Sequence, residues 1–231
     1  MNSINIIEGL EKIIKWRKNK YPEDAYLTSG LTIERLQQLT QGFPFKLPNE
    51  LSEFYTRYYT NISLAPGLCA FHSLTESLDQ CLQGWILREL PDEVLDFSEP
   101  KAKGEYLHFF EGCFQDKLFK KVIDYYPHNW CKLPIFYGVC KQVYLIECNK
   151  QAADTSPVWV RFIGEEPKIY ASSLTSLMLT IAECYETGAY YTVFHEEYGE
   201  WEIEEDLEKV ELIFEKHNPL QINTWRSIHK N

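Results

Sequence analysis

The spacing of apolar residues divides the chain into a helical first third, an alternating middle and a mixed end. Ile4, Ile7, Leu10 and Ile14, with Ile6 and Ile13 beside them, recur at helical steps and place one apolar stripe on an opening helix that ends near Asn19. A second helix is signalled by Thr32 as N-cap, by Ile33, Leu36 and Leu39 on one face, and by Gly42 just past its end. Pro48 suits a first helical position, and Leu51, Phe54, Tyr55, Tyr58 and Tyr59 fit the helical template for a third. Ser73 and Glu76 form a capping box ahead of Leu74, Leu78, Cys81, Leu82 and Trp85, which predicts a fourth helix over 74–88.

Beyond an acidic, proline-containing stretch at 89–104, expected as an exposed loop, the period changes to alternation. Residues 106–110, 122–126, 133–137, 143–148, 158–162 and 168–170 are rich in β-branched and aromatic side chains and read as short strands with antiparallel neighbours. A fifth helix starts at Ser172 or Ser173 and runs through Leu174, Leu177, Met178, Ile181 and Tyr185 to Gly188. Residues 190–194 suit one more strand. The last helix, over about 203–217, carries Leu207, Val210 and Phe214 inward and stops at Pro219. The fold class that follows is α+β, as one domain over 1–231.

With 231 residues, 45% of them hydrophobic and 15% aromatic, the chain can bury an ordinary core. Its apolar runs fall well short of the roughly 20 residues that span a bilayer, and residues 1–20 lack the layout of a secretory signal. Seven cysteines, odd in number and without a Cys-x-x-Cys pair, read as reduced, buried thiols, so a soluble cytoplasmic protein without structural metal is expected. The net charge of −11 argues against nucleic acid as a partner, because phosphate affinity comes largely from Lys and Arg.

Motifs for phosphate, dinucleotide or serine-hydrolase chemistry are missing from the sequence, and catalytic residues are not assigned. Strand alternation would put His195 and Glu197 on one side, where they could hold a metal or act as an acid–base pair. Cys131 near His128, or Cys69 near His72, offers a thiol beside a base, with no third group to orient it. Buried structural cysteine and a solvated strand end are the plainer readings of these pairs. The acids are more distinctive: between 183 and 215 twelve carboxylates face a single base, Lys209. Glu204, Glu208, Glu211 and Glu215 would line one side of the last helix, where like charges are mildly destabilising. The plain account is a solvated helix face. The functional one is a patch made of Glu196, Glu197, Glu200, Trp201, Glu204, Glu205, Glu208 and Glu211 that matches a basic protein, with Trp201 as aromatic anchor if it is exposed.

Several segments resemble the SUKH superfamily, which includes fungal Knr/Smi cell-wall regulators and bacterial immunity proteins for polymorphic toxins. Leu47, Pro48, Asn49, Glu50 and Leu51, continuing to Phe54 and Tyr55, resemble that family's "LP" helix opening, with Asn61 near its end. Trp130 followed by Leu133, Pro134, Ile135 and Phe136 resembles its Trp-then-Pro strand, and 143–147 the next strand. Val158, Trp159 and Val160, then Ala171, Ser172, Ser173 and Leu174, resemble its paired strand and the start of its closing helix. Ile62 stands where the family has Gly, and the acidic tail after Gly188 lies outside the common pattern. The resemblance runs from Thr32 to Gly188, which makes about 32–188 the core, with an N-terminal helix within 1–31 and an acidic C-terminal extension at 189–231. It implies terminal helices packed on one curved sheet of about six strands, no cofactor, and function by protein binding. The expected role is therefore a non-catalytic immunity-type or regulatory protein whose partner is a basic protein such as a toxin or nuclease. The alternatives are an enzyme with a site assembled from distant residues, and a structural or oligomerising domain.

Overall fold

The strand-forming middle of the chain folds into an antiparallel sheet on which helices from both ends converge. The computed structural model describes residues 6–20, 28–59, 64–88, 130–138, 142–162, 164–197 and 199–230. In chain order these form α1 (Ile6–Lys20), β1 (Thr28–Ser29), α2 (Ile33–Leu39), α3 (Asn49–Arg57), β2 (Tyr58–Tyr59), β3 (Leu68–Phe71), α4 (Leu74–Arg88), β4 (Trp130–Gly138), β5 (Val143–Asn149), β6 (Val158–Arg161) and β7 (Lys168–Ala171). Then come α5 (Leu174–Thr187), β8 (Tyr190–His195), β9 (Glu200–Glu205), α6 (Leu207–His217), a 3-10 turn (Pro219–Gln221) and α7 (Ile222–His229). The fold is mixed helix and sheet. Among the described residues the main sheet has five strands in sequence order, β3-β4-β5-β6-β7, while β1-β2 and β8-β9 are separate two-stranded pairs. No helix of the described residues is long and apolar enough to cross a membrane.

Local chemistry accounts for the helix boundaries. Thr32 Oγ1 accepts from the Arg35 amide at 3.1 Å and starts α2. Ser73 and Glu76 exchange bonds, Ser73 N donating to Glu76 Oε2 at 2.8 Å and Glu76 N to Ser73 Oγ at 3.2 Å. Helix α5 ends at Gly188, whose φ of 71° is the left-handed geometry that glycine adopts without strain. Its start depends on a distant residue. Glu50, on the first turn of α3 and 4% exposed, accepts from Leu174 N (3.2 Å), Thr175 N (2.8 Å), Thr175 Oγ1 (2.8 Å) and Ser156 N (2.8 Å). With Ser176 N bound to Ser173 Oγ at 2.9 Å, the first three amides of α5 all have acceptors.

Apolar side chains from both termini enter the same core. Ile6, Leu10 and Ile13 of α1 are buried together with Leu177, Met178 and Ile181 of α5. A methyl group at Gly9 would sit 3.1 Å from the Met178 carbonyl, so the two backbones approach closely. A run of rings crosses the sheet: Phe54 to Phe71 (3.9 Å between centroids), Phe71 to Phe136 (4.5 Å), Tyr144 to Tyr170 (5.0 Å), Tyr170 to Phe214 (5.2 Å) and Phe214 to Trp225 (5.8 Å). The C-terminal helices are thus part of the core and no loose extension.

Three boundaries differ from expectation. Tyr58 and Tyr59 leave α3 and pair with Ser29 and Thr28. Residues 203–205 belong to β9, because Asp206 Oδ1 caps the Lys209 amide and starts α6 only at Leu207. Pro219 ends α6 as expected, but α7 follows it, burying Ile222 and Trp225 at helical spacing. The strands expected at 106–110 and 122–126, the loop at 89–104, and Asn61, Ile62 and His128 lie outside the described residues.

Replacing Glu50 by Gln keeps the shape but sets an amide N–H group against backbone donors. Burial raises the Glu50 pKa and its donors pull it back, leaving it above the usual carboxylate range. The expected loss for Glu50→Gln is about 1 to 3 kcal/mol. Urea denaturation monitored by circular dichroism would measure it, and an unchanged midpoint would remove Glu50 from the framework.

Candidate functional site

The β8–β9 hairpin carries most of the acids expected to meet a partner, and its register sorts them by face. Tyr190, Thr192 and Phe194 stand opposite Glu205, Ile203 and Trp201, while Tyr191, Val193 and His195 stand opposite Glu204, Glu202 and Glu200. On the first face, burial falls away toward the turn: Tyr190 is buried, Ile203 packs against the core, and Phe194 (45%) and Trp201 (57%) reach solvent. Their rings lie 5.2 Å apart, a cross-strand pair that steadies the hairpin while leaving an aromatic surface uncovered.

The second face is polar. His195 Nε2 lies 3.4 Å from Glu202 and 3.6 Å from Glu204, and the Tyr191 hydroxyl donates to Glu204 at 3.2 Å. That bond raises the exposed Tyr191 pKa. The strand ends at His195, and Gly199 N bonds back to His195 O at 2.8 Å. The alternation that would set Glu197 beside His195 stops there, and Glu196 and Glu197 sit exposed in the turn. Cys131 is fully buried, its thiol pushed well up by burial and then by Cys148 and Cys81, which makes it a poor nucleophile. His72 is buried with its ring 4.1 Å from that of Tyr137, and burial lowers its pKa. Among the described residues no group of three or more His, Cys, Asp or Glu is placed to hold a metal ion.

The expected patch does not hold together as one surface. Glu196, Glu197, Glu200, Trp201 and Glu204 are on the hairpin, and Glu208 is exposed on the first turn of α6. Glu211 is taken internally: it pairs with Arg226 and Lys230 of the C-terminal segment, which lower its pKa. Glu215 lies 3.8 Å from Arg226, and Glu183 binds Lys216 and His217 at 2.7 Å each. Bases beyond residue 215 fold back and neutralise the helix, so the unbalanced charge is on the hairpin.

Glu205 also departs from the patch. It shares the inward face with Tyr190 and lines a cavity of about 20 Å³ between the hairpin base, α5, α6, α7 and the 66–68 turn. Burial raises its pKa. Opposite, His229 Nε2 lies 3.3 Å from the Tyr170 hydroxyl, and burial lowers the His229 pKa to about 4. Tyr144, Tyr170, Tyr190 and Trp225 supply further wall. The cavity's lining comes from the 66–68 turn and from β5, β7, α5, β8, β9, α6 and α7, so no local motif marks it; only the i, i+3 spacing of Ile222 and Trp225 points to α7 as inward-facing.

No protein-family model matches the chain, and no curated protein matches it.

Because His229 is held neutral, the folded state binds fewer protons than the unfolded state between pH 4 and the ordinary His range. Its contribution to stability is complete above about pH 6.5 and is lost as the pH falls toward 4. The stability difference between wild type and His229→Gln should be flat above pH 6.5 and shift by on the order of 2 kcal/mol on acidification. Chemical denaturation across pH 4–7.5 would show it; parallel curves would mean His229 is not desolvated.

Proposed function

We propose that this chain is a non-catalytic protein-binding domain whose β8–β9 hairpin docks a basic protein partner. The reading extends to the immunity-type or regulatory role implied by the SUKH resemblance, with the antiparallel sheet as that family's single curved sheet and the cytoplasm as the place of action. The observation that carries it is the uncovered Phe194–Trp201 pair at the hairpin end, bordered by Glu196, Glu197 and Glu202. An exposed Trp costs solvation unless something covers it, and Trp is among the side chains enriched as binding anchors. Surrounding carboxylates would steer a basic partner and repel an acidic one.

Trp201→Ala should change folding stability by no more than about 0.5 to 1 kcal/mol, the scale of an exposed cross-strand pair. In pull-down from the native host, the wild-type chain should retain a basic protein at low salt and lose it at high salt, because screening weakens contacts between exposed charges. Trp201→Ala, and separately Glu196→Lys with Glu197→Lys, should each reduce that retention at least tenfold. Recovery of no partner at either salt concentration, or equal retention by the variants, would count against the hairpin as the docking surface. A self-associating species insensitive to these variants would instead favour the oligomerising alternative.

A further inference from the structure

We propose that the outer edge of β9 takes up an extended basic segment of the partner as an added antiparallel strand, in which apolar side chains alternate with lysine or arginine. The proposal rests on the hairpin being the docking surface and names the feature of the partner that this surface recognises.

The ladder of the hairpin fixes which backbone groups are free. Asp206 N donates to Ala189 O at 2.8 Å, which makes these two a hydrogen-bonded pair of the antiparallel ladder. Such pairs alternate with pairs whose N–H and C=O groups point outward. Tyr191 with Glu204 and Val193 with Glu202 therefore bond each other, while Thr192 opposite Ile203 and Phe194 opposite Trp201 do not. The rings of Phe194 and Trp201, 5.2 Å between centroids, fit the closer side-chain spacing of a non-hydrogen-bonded pair. Trp201 and Ile203 thus turn their amides and carbonyls away from β8, and among the described residues no backbone group bonds them there. A row of unpaired groups of this kind is a template for another strand.

Side chains decide which strand fits and on which edge. Along β9, Glu202 and Glu204 stand on one face and Trp201 and Ile203 on the other. In an antiparallel neighbour, the residues bonded to Trp201 and Ile203 share their face, and the residue between them stands beside Glu202. Apolar groups suit the first positions, against an indole 57% exposed. Lysine or arginine suits the second, because Glu202 and Glu204 have only His195 and the Tyr191 hydroxyl beside them, and Lys209 is paired with Asp206 at 2.9 Å. The outer edge of β8 lacks this match, since a basic strand there would lie beside Tyr191, Val193 and His195. A second copy of the chain fits β9 poorly: antiparallel pairing of two β9 edges sets the acidic face of one beside that of the other, and like charges on facing strands repel.

The probe is a capped peptide of about the length of β9 that alternates valine and lysine, titrated into the full chain at low salt and followed by backbone amide NMR and hydrogen exchange. Saturable binding should slow exchange at the Trp201 and Ile203 amides and leave that of Glu202, already bonded to β8, little changed. The same residues in block order, and the alternating peptide N-methylated at its valines, should each bind at least about tenfold more weakly. Methylation at the lysines, whose amides face away from β9, should weaken it far less. Glu202→Lys should weaken the alternating peptide at least about tenfold, and Glu208→Lys, an equal charge change on α6, much less. Equal binding of the alternating and block peptides, or a larger effect from methylating the lysines, would overturn strand addition; if Trp201→Ala still weakened both peptides, the hairpin would stand as the docking surface without it. No saturable binding of the alternating peptide would also overturn the proposal, while pull-down with the hairpin variants decides the docking surface separately. A dimer seen by sedimentation, with the Trp201 and Ile203 amides protected before any peptide is added, would overturn the basic strand in favour of a second copy.

Discussion

One buried carboxylate, that of Glu50, joins parts of this fold that lie far apart in sequence. It reaches from the first turn of α3 to the amides of Leu174 and Thr175 at the start of α5, and to Ser156 ahead of β6. The N-terminus of a helix is the part of the backbone best suited to hold an anion, so the cost of burying Glu50 is offset where α5 begins. Its neighbours reinforce the join, Asn49 N and Glu50 N donating to Ala153 O and Asp154 O at 2.8 and 3.1 Å. Once α5 is fixed, α1 packs along it at Gly9, and Asn218 at the end of α6 accepts from Ser172 N at 2.9 Å and donates to Thr180 Oγ1 at 3.1 Å. The termini are thereby drawn to the same helix from opposite sides.

That convergence redistributes charge. Read along the chain, the acids between 183 and 215 have only Lys209 against them. In three dimensions Lys216 and His217 meet Glu183, and Arg226 and Lys230 meet Glu211. These exposed pairs contribute little stability individually. Their larger effect is that, among the described residues, the hairpin acids Glu202 and Glu204 have only His195 beside them and no Lys or Arg partner, where the rings of Phe194 and Trp201 remain uncovered.

Local signals carried much of the secondary structure. Helical spacing and capping pairs such as Ser73 with Glu76 are short-range chemistry and are readable in one sequence. The hairpin was harder, because Glu202, Glu204 and Glu208 suit an exposed helix face as well as a strand face, and only the Asp206 cap decides where β9 gives way to α6. Opposed ion pairs could not be read, because Glu211 and Arg226 are 15 residues apart and their meeting depends on the turn at Pro219. Trp201 was recognisable as a candidate, but its exposure is a tertiary property. Glu205 was recognisable only as one acid among several, since its neighbours Tyr170 and His229 are brought to it by β7 and α7.

The hairpin links its exposed tip to the buried cavity through register. Side chains on a strand alternate with a period of two, so a single-residue slip would exchange every inward group for an outward one. In the observed register Glu205 and Trp201 share a face with Tyr190 and Phe194, placing a carboxylate at the inner end of one ladder and an aromatic pair at its outer end. Glu204, one residue away, instead lies on the face where Tyr191 and His195 meet it. A slip would drive Glu204 against Tyr170 and turn Glu205 to solvent, losing the burial of Tyr190 as well. The buried Tyr190 therefore fixes which acids face a partner and which one faces the cavity, and the two surfaces are defined by the same physical constraint.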